Sequence, residues 1–175
     1  MLTGVGPDKH QITWNSWVPT NGVVAVPTVF TAAKPAGFST AMFVGKEKFR
    51  HLLQPGTVDE FSFNRAAAQS MPESESGTNG MTAEDNTFAR AVAANAAAYI
   101  LKHKPNLGFI HFTDPDSIGH KYGWGSSEQI KAFADVDAAL GEIVRAIHQA
   151  ALAEGSVLII TADHGGHGKN HGQDI

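Results

Sequence analysis

Three short stretches of this chain are apolar in the way a sheet strand is: Phe38 to Val44, closed by Gly45; Leu107 to Phe112; and Val157 to Thr161. Continuous Val/Ile/Leu/Phe runs of that length suit strands of a parallel sheet covered on both faces. Val58 to Phe63 alternates only loosely and adds a fourth, shorter strand. Between them lie segments with helical signals. Val23 to Thr31 suits a short helix begun at Pro27, and Lys46 to Leu53 another. An alanine-rich stretch opens at Thr82-Ala83-Glu84-Asp85 and runs to about Lys104, where Pro105 ends it. A longer helix opens at Ser126 or Ser127, keeps Ile130, Phe133, Leu140, Ile143, Val144 and Ile147 at helical spacing, and closes at Gly155. Asn64 to Gly80, rich in Ser, Glu, Gly and Asn, reads as a surface loop. Strands alternating with helices predict an α/β fold with a parallel sheet and right-handed crossovers.

Composition narrows the chemistry. The chain has 175 residues, 42% of them hydrophobic and 17% charged, enough for one domain with a substantial core. A net charge of −4 leaves no basic footprint for nucleic acid or for an anionic membrane. No apolar stretch reaches the roughly 20 residues of a membrane-spanning helix. With no cysteine, any metal must be held by His, Asp or Glu.

Two strand ends carry such residues. Leu107–Phe112 runs into Asp114-Pro115-Asp116 and then His120, and Val157–Thr161 runs into Asp163-His164 followed by glycine-rich chain with His167 and His171. In open α/β sheets ligands collect beyond the carboxyl ends of the strands, so Asp116, His120, Asp163 and His164 are expected to converge. Carboxylates and imidazoles together suit zinc or manganese. Each part also has a plainer reading: Asp-Pro-Asp is turn chemistry, one histidine can be a satisfied loop residue, and Gly165 to Gly172 can be a simple loop. His51, His103, His111 and His148 are read as structural. Tyr122 and Trp124, which follow His120 directly, are candidate walls of a substrate pocket, while Trp14, Trp17 and Phe38 suit the core better than a stacking role.

The same residues resemble a family. Pro115-Asp116-Ser117-Ile118-Gly119-His120 resembles the P-D-x-x-G-H motif, and Thr161 to Gly165 the S/T-x-D-H-G motif, of the alkaline phosphatase superfamily. Leu2-Thr3-Gly4 followed by Pro7, His10, Ile12 and Asn15 is similar to the segment after the nucleophile in the type I phosphodiesterase/nucleotide pyrophosphatase branch. The resemblance implies an alkaline-phosphatase-like fold, a mostly parallel sheet sandwiched between helices. It also implies two divalent ions, zinc by preference with manganese also suited. Asp116 and His120 would hold one ion with a later histidine, for which His171 is the best match and His167 or a residue beyond Ile175 the competitors. Asp163 and His164 would hold the other, together with an upstream Asp and the nucleophile. Asn15 matches an asparagine that hydrogen-bonds a phosphoryl oxygen.

By the family's spacing, the Thr or Ser nucleophile and the upstream Asp fall before Met1, and further strands follow Ile175. Residues 1–175 are therefore expected to be a partial catalytic domain, incomplete at both ends, with little turnover by itself. The activity implied for the full-length protein is metal-dependent hydrolysis of a small-molecule phosphate ester. The alternatives are a metal-binding module without catalysis, or another hydrolase or mutase of the superfamily: a phosphonate hydrolase, a sulfatase or a phosphoglycerate-mutase-like enzyme.

Overall fold

A computed structural model describes residues 1–63 and 87–171. Its centre is a parallel three-stranded sheet in the order β2-β1-β3, built from β1 (Thr40–Val44), β2 (Glu60–Phe63) and β3 (Leu107–His111). Ala41 lies opposite Glu60 on one side and Gly108 on the other, and Val44 opposite Phe63 and His111. The helices are α1 (Pro7–His10), α2 (Val29–Ala33), α3 (Thr87–His103), α4 (Asp114–Tyr122) and α5 (Ser127–Gln149).

β1 is buried along its whole length because both faces of the sheet are covered. Ala41 and Phe43 point toward α3 and α5, where Ala89, Val92, Ala93, Ala96, Ala139, Ile143 and Ala146 form the larger core. Met42 and Val44 point the other way, onto Phe30 of α2, with Phe49, Leu52, Phe61 and Phe109 around them. Full burial of side chains such as Phe30 and Met42 stabilises by roughly 1.5–3 kcal/mol each. The amino end of β1 is fixed by Asp59, which takes the Thr40 amide at 2.8 Å and the Lys34 ammonium at 2.6 Å. That pairing, the Lys34 bond first, holds the Asp59 carboxyl below its ordinary range.

Several expectations are corrected. The helix expected from Pro27 begins after Thr28, whose hydroxyl accepts from the Thr31 amide at 3.2 Å while Thr31 returns a bond to the Thr28 amide. Lys46–Leu53 forms only a tight helical turn over Glu47–Leu52. Of the face expected on α5, Ile143 is buried and Ile147 packs against the same core, but the other buried positions are Gln129, Ala132, Ala139 and Ala146, and Ile130 and Phe133 are 63% and 55% exposed. Small side chains face each other on α3 and α5, which lets two helices approach closely, so alanine rather than leucine marks the contact. The Asp-Pro-Asp turn is instead the first turn of α4, with Pro115 where its missing N–H costs nothing.

The largest correction concerns Val157–Thr161. No strand forms there; Val157 is 88% and Ile159 80% exposed. A strand is stabilised by a neighbouring ladder, and among the described residues the outer edge of β3 carries none. The expected loop Asn64–Gly80 and the expected helix start at Thr82–Asp85 lie outside the described residues.

Candidate metal centre

α4 leaves the carboxyl end of β3 directly, so its first turn stands at the edge of the sheet. Asp116 and His120 are four residues apart, which places them on one face of the helix. The His120 Nε2 atom is 3.3 Å from Asp116 Oδ1. The loop after residue 161 folds back over the same face, bringing His164 Nε2 to 3.7 Å from Asp116 Oδ1 and 3.7 Å from Asp163 Oδ2. His171 completes the cluster, its ring 4.2 Å from that of His164 and 4.8 Å from that of His120, centre to centre. One ligand atom each from Asp116, His164 and His171 can lie within 4.8 Å of one another.

The hydrogen bonds on the far side of the rings decide what the near side offers. His120 Nδ1 is 2.8 Å from the Lys169 carbonyl, and His164 Nδ1 is 2.9 Å from the Gly165 carbonyl. A carbonyl only accepts, so each Nδ1 carries the proton, and in the neutral ring each Nε2 turns a lone pair toward a carboxylate. Asp116 Oδ1, at the meeting point, is buried with no hydrogen-bond partner. Lone pairs converging on an orphaned carboxylate oxygen suit a cation, and a backbone-held Nδ1–H is the usual support of a metal-binding histidine. The donor set therefore fits a divalent ion.

Two residues that the sequence reading passed over belong to this place. Lys46 donates to Asp116 Oδ2 at 2.6 Å. Burial would raise the Asp116 carboxyl, but the Lys46 bond and charge bring it below its ordinary value. Lys48 donates to Asn15 Oδ1 at 2.6 Å, and burial, then the neighbouring Lys46, lowers its ammonium despite Asp163 and Asp116. Both lysines follow Gly45 at the carboxyl end of β1, the position that a strand-end argument would have singled out.

His111, which no acidic residue adjoins in sequence, is expected to be structural. It sits at the end of β3 against Phe49, ring centres 4.5 Å apart, with a buried and unpartnered Nδ1. Burial, then Lys46, pulls it down to about 4. His51 is structural: its Nδ1 meets the Gly22 carbonyl at 2.6 Å, and its Nε2 accepts from Trp14 Nε1 at 2.9 Å and the Val18 amide at 3.2 Å. Trp14 and Trp17 pack on that ring. Of the two pocket-wall candidates, Trp124 lies edge-on to His120 at 4.9 Å, while Tyr122 is at the surface beneath Lys121. His167 is taken up in a tight turn with Asn170 and stands outside the three-residue group.

The architecture is that of alkaline-phosphatase-like enzymes. Murine ectonucleotide pyrophosphatase/phosphodiesterase 5, solved in complex with AMP, superposes with a TM-score of 0.55 at 18% identity, over 86% of this chain and 40% of that one. Phosphonoacetate hydrolase from Sinorhizobium meliloti, in complex with phosphonoacetate, gives 0.54 at 22% identity, over 83% and 40%. Residues 1–171 match the type I phosphodiesterase / nucleotide pyrophosphatase family, and the chain belongs to it. Ectonucleotide pyrophosphatase/phosphodiesterase family member 5 of Homo sapiens is 34% identical over 82 residues, 47% of this chain and 17% of that protein. The 2,3-bisphosphoglycerate-independent phosphoglycerate mutase of Synechococcus elongatus is 39% identical over 77 residues, 44% and 13%. The matched segments thus span less than a fifth of those two relatives.

Proposed function

We propose that this chain carries the greater part of a two-ion site for the hydrolysis of phosphate esters of small molecules. The observation that carries the reading is the meeting of two Asp/His pairs, His120 Nε2 at 3.3 Å from the orphaned Oδ1 of Asp116 and, beside it, His164 Nε2 at 3.7 Å from Asp163 Oδ2. Asp116, His120 and His171 would hold one divalent ion and Asp163 with His164 the other, zinc or manganese by donor type. Such ions supply charge for the entering and leaving oxygens and acidify a bound hydroxyl. The attacking Thr or Ser belongs, in this reading, to the segment the resemblance places ahead of Met1.

The chain's own groups supply positioning. Lys48 donates a hydrogen bond to Asn15 Oδ1, which occupies the acceptor and leaves the amide N–H groups as the donors Asn15 would offer a phosphoryl oxygen. Lys46 adds a positive charge beside Asp116, where a phosphate dianion needs neutralising. AMP and phosphonoacetate, bound by the two structural neighbours, are both small anions of phosphorus, and the substrate here is read as belonging to that class.

The test uses the full-length protein. We expect two equivalents of zinc or manganese per chain by elemental analysis, hydrolysis of bis-(p-nitrophenyl) phosphate, and loss of both in Asp116→Ala. Metal bound without turnover would instead make this a binding module, and metal content indifferent to Asp116→Ala would end the two-ion reading.

A further inference from the structure

Val157–Thr161 joins no sheet, so it cannot by itself deliver Asp163, His164 and His171 to α4. What docks the loop is a small set of contacts centred on Trp124. Its amide donates to the Gly168 carbonyl at 2.7 Å. Its indole lies against Gly166 so closely that a Cβ there would overlap the ring, the three nearest atoms all belonging to the indole. The ring also meets Gly119 of α4, where a Cβ would stand 2.9 Å from the indole and 2.6 Å from Gln129 Nε2. Gln129, buried on α5, ties both ends of this arrangement, accepting from the Gly125 amide at 2.7 Å and donating to the Pro115 carbonyl at 3.0 Å.

We propose that Trp124 is a positioning residue of the metal centre: a wedge gripped between Gly119 and Gly166 that sets the distance between α4 and the loop carrying His164 and His171. The inference rests on the metal reading above and goes beyond it, because Trp124 offers no ligand atom. Its edge-on contact with the His120 ring also fixes the plane of that imidazole, whose Nδ1 the Lys169 carbonyl holds. Groups that orient metal ligands in this way are worth about 10–100-fold in affinity.

The test is Co2+ binding to the full-length protein, followed by its visible absorption band and by competition with a chromophoric chelator. Trp124→Ala is expected to weaken binding about tenfold or more and to change the intensity of the Co2+ band, while Trp124→Phe, which keeps a flat ring between the two glycines, restores both. Gly166→Ala, at a position outside the left-handed region and with the indole as its nearest contact, is expected to reproduce the loss. It decides the matter should Trp124→Ala fail to fold by circular dichroism. If Asp116→Ala abolishes binding while Trp124→Ala and Gly166→Ala keep affinity within twofold and an unaltered band, the wedge is overturned and the metal site stands. If Asp116→Ala binds Co2+ as the wild type does, the metal reading itself fails, and the wedge with it.

Discussion

β3 and the run Val157–Thr161 are written in nearly the same alphabet, and they end differently. Leu107–His111 lies beside β1 in regular parallel register and hands its chain to α4. Val157–Ile160, richer in β-branched residues, stays outside the sheet with its side chains in solvent. An apolar β-branched run is a request for a ladder and two covered faces; β3 finds both in β1 and the helices, and the later run finds neither among the described residues. What survives of the expected strand end is its loop, held to α4 by side chains and by the Trp124 and His120 bonds to the Gly168 and Lys169 carbonyls.

The difference can be broken most forcefully from the sheet side. Met42→Ala removes a fully buried side chain from β1 and is expected to cost about 2–5 kcal/mol, read as a shift in the urea unfolding midpoint. An undiminished midpoint would mean that the second core is not packed as described.

The strand end of β3 makes a pH prediction. Burial lowers His111 from 6.5 to about 4, so between those values the unfolded chain binds more protons, and stability falls as the pH drops through that window. Asp114, raised by burial from 3.8 to about 6, works in the opposite sense: the native chain holds the extra proton, and acidification relieves a cost. Each contribution is at most about 3.5 kcal/mol. The two largely offset each other in the wild type, so His111→Gln is expected to make stability rise as the pH falls from 6.5 to 4, and Asp114→Asn to make it fall. Parallel profiles for wild type and both variants would refute the assignment.

Smaller effects belong to the loose run. Amides of Val157–Ile160 should exchange hydrogen orders of magnitude faster than those of β1, since exchange follows burial and pairing. Ile159→Thr should change stability by no more than about 0.5 kcal/mol, measured in the same urea titration. A loss near that of Met42→Ala would show that the run is packed after all.

How much was legible beforehand varies with how local the cause is. Strands β1 and β3, the end of α3 at Pro105 and the start of α5 at Ser126 follow from runs and caps that the sequence states outright. Asp116, His120, Asp163, His164 and His171 stood out because ligand-type residues were bunched after apolar runs and matched motifs of a known family. Lys46, Lys48 and His111 did not, because a lysine in a charged stretch or a lone histidine in a strand carries no sign of what it will face. Their surroundings come from β1 and β3 ending side by side, a juxtaposition of residues more than sixty positions apart.

By itself, then, the sequence determined the α/β alternation, the absence of thiol chemistry and the donor types at two chain segments, since these depend on residue identity and short spacing. Only the tertiary structure decided that α5 packs through alanines, that Val157–Thr161 remains unpaired, and that the imidazoles present lone pairs to Asp116. Those outcomes depend on which surfaces and carbonyls happen to be near, and proximity between distant residues is set by packing rather than by pattern.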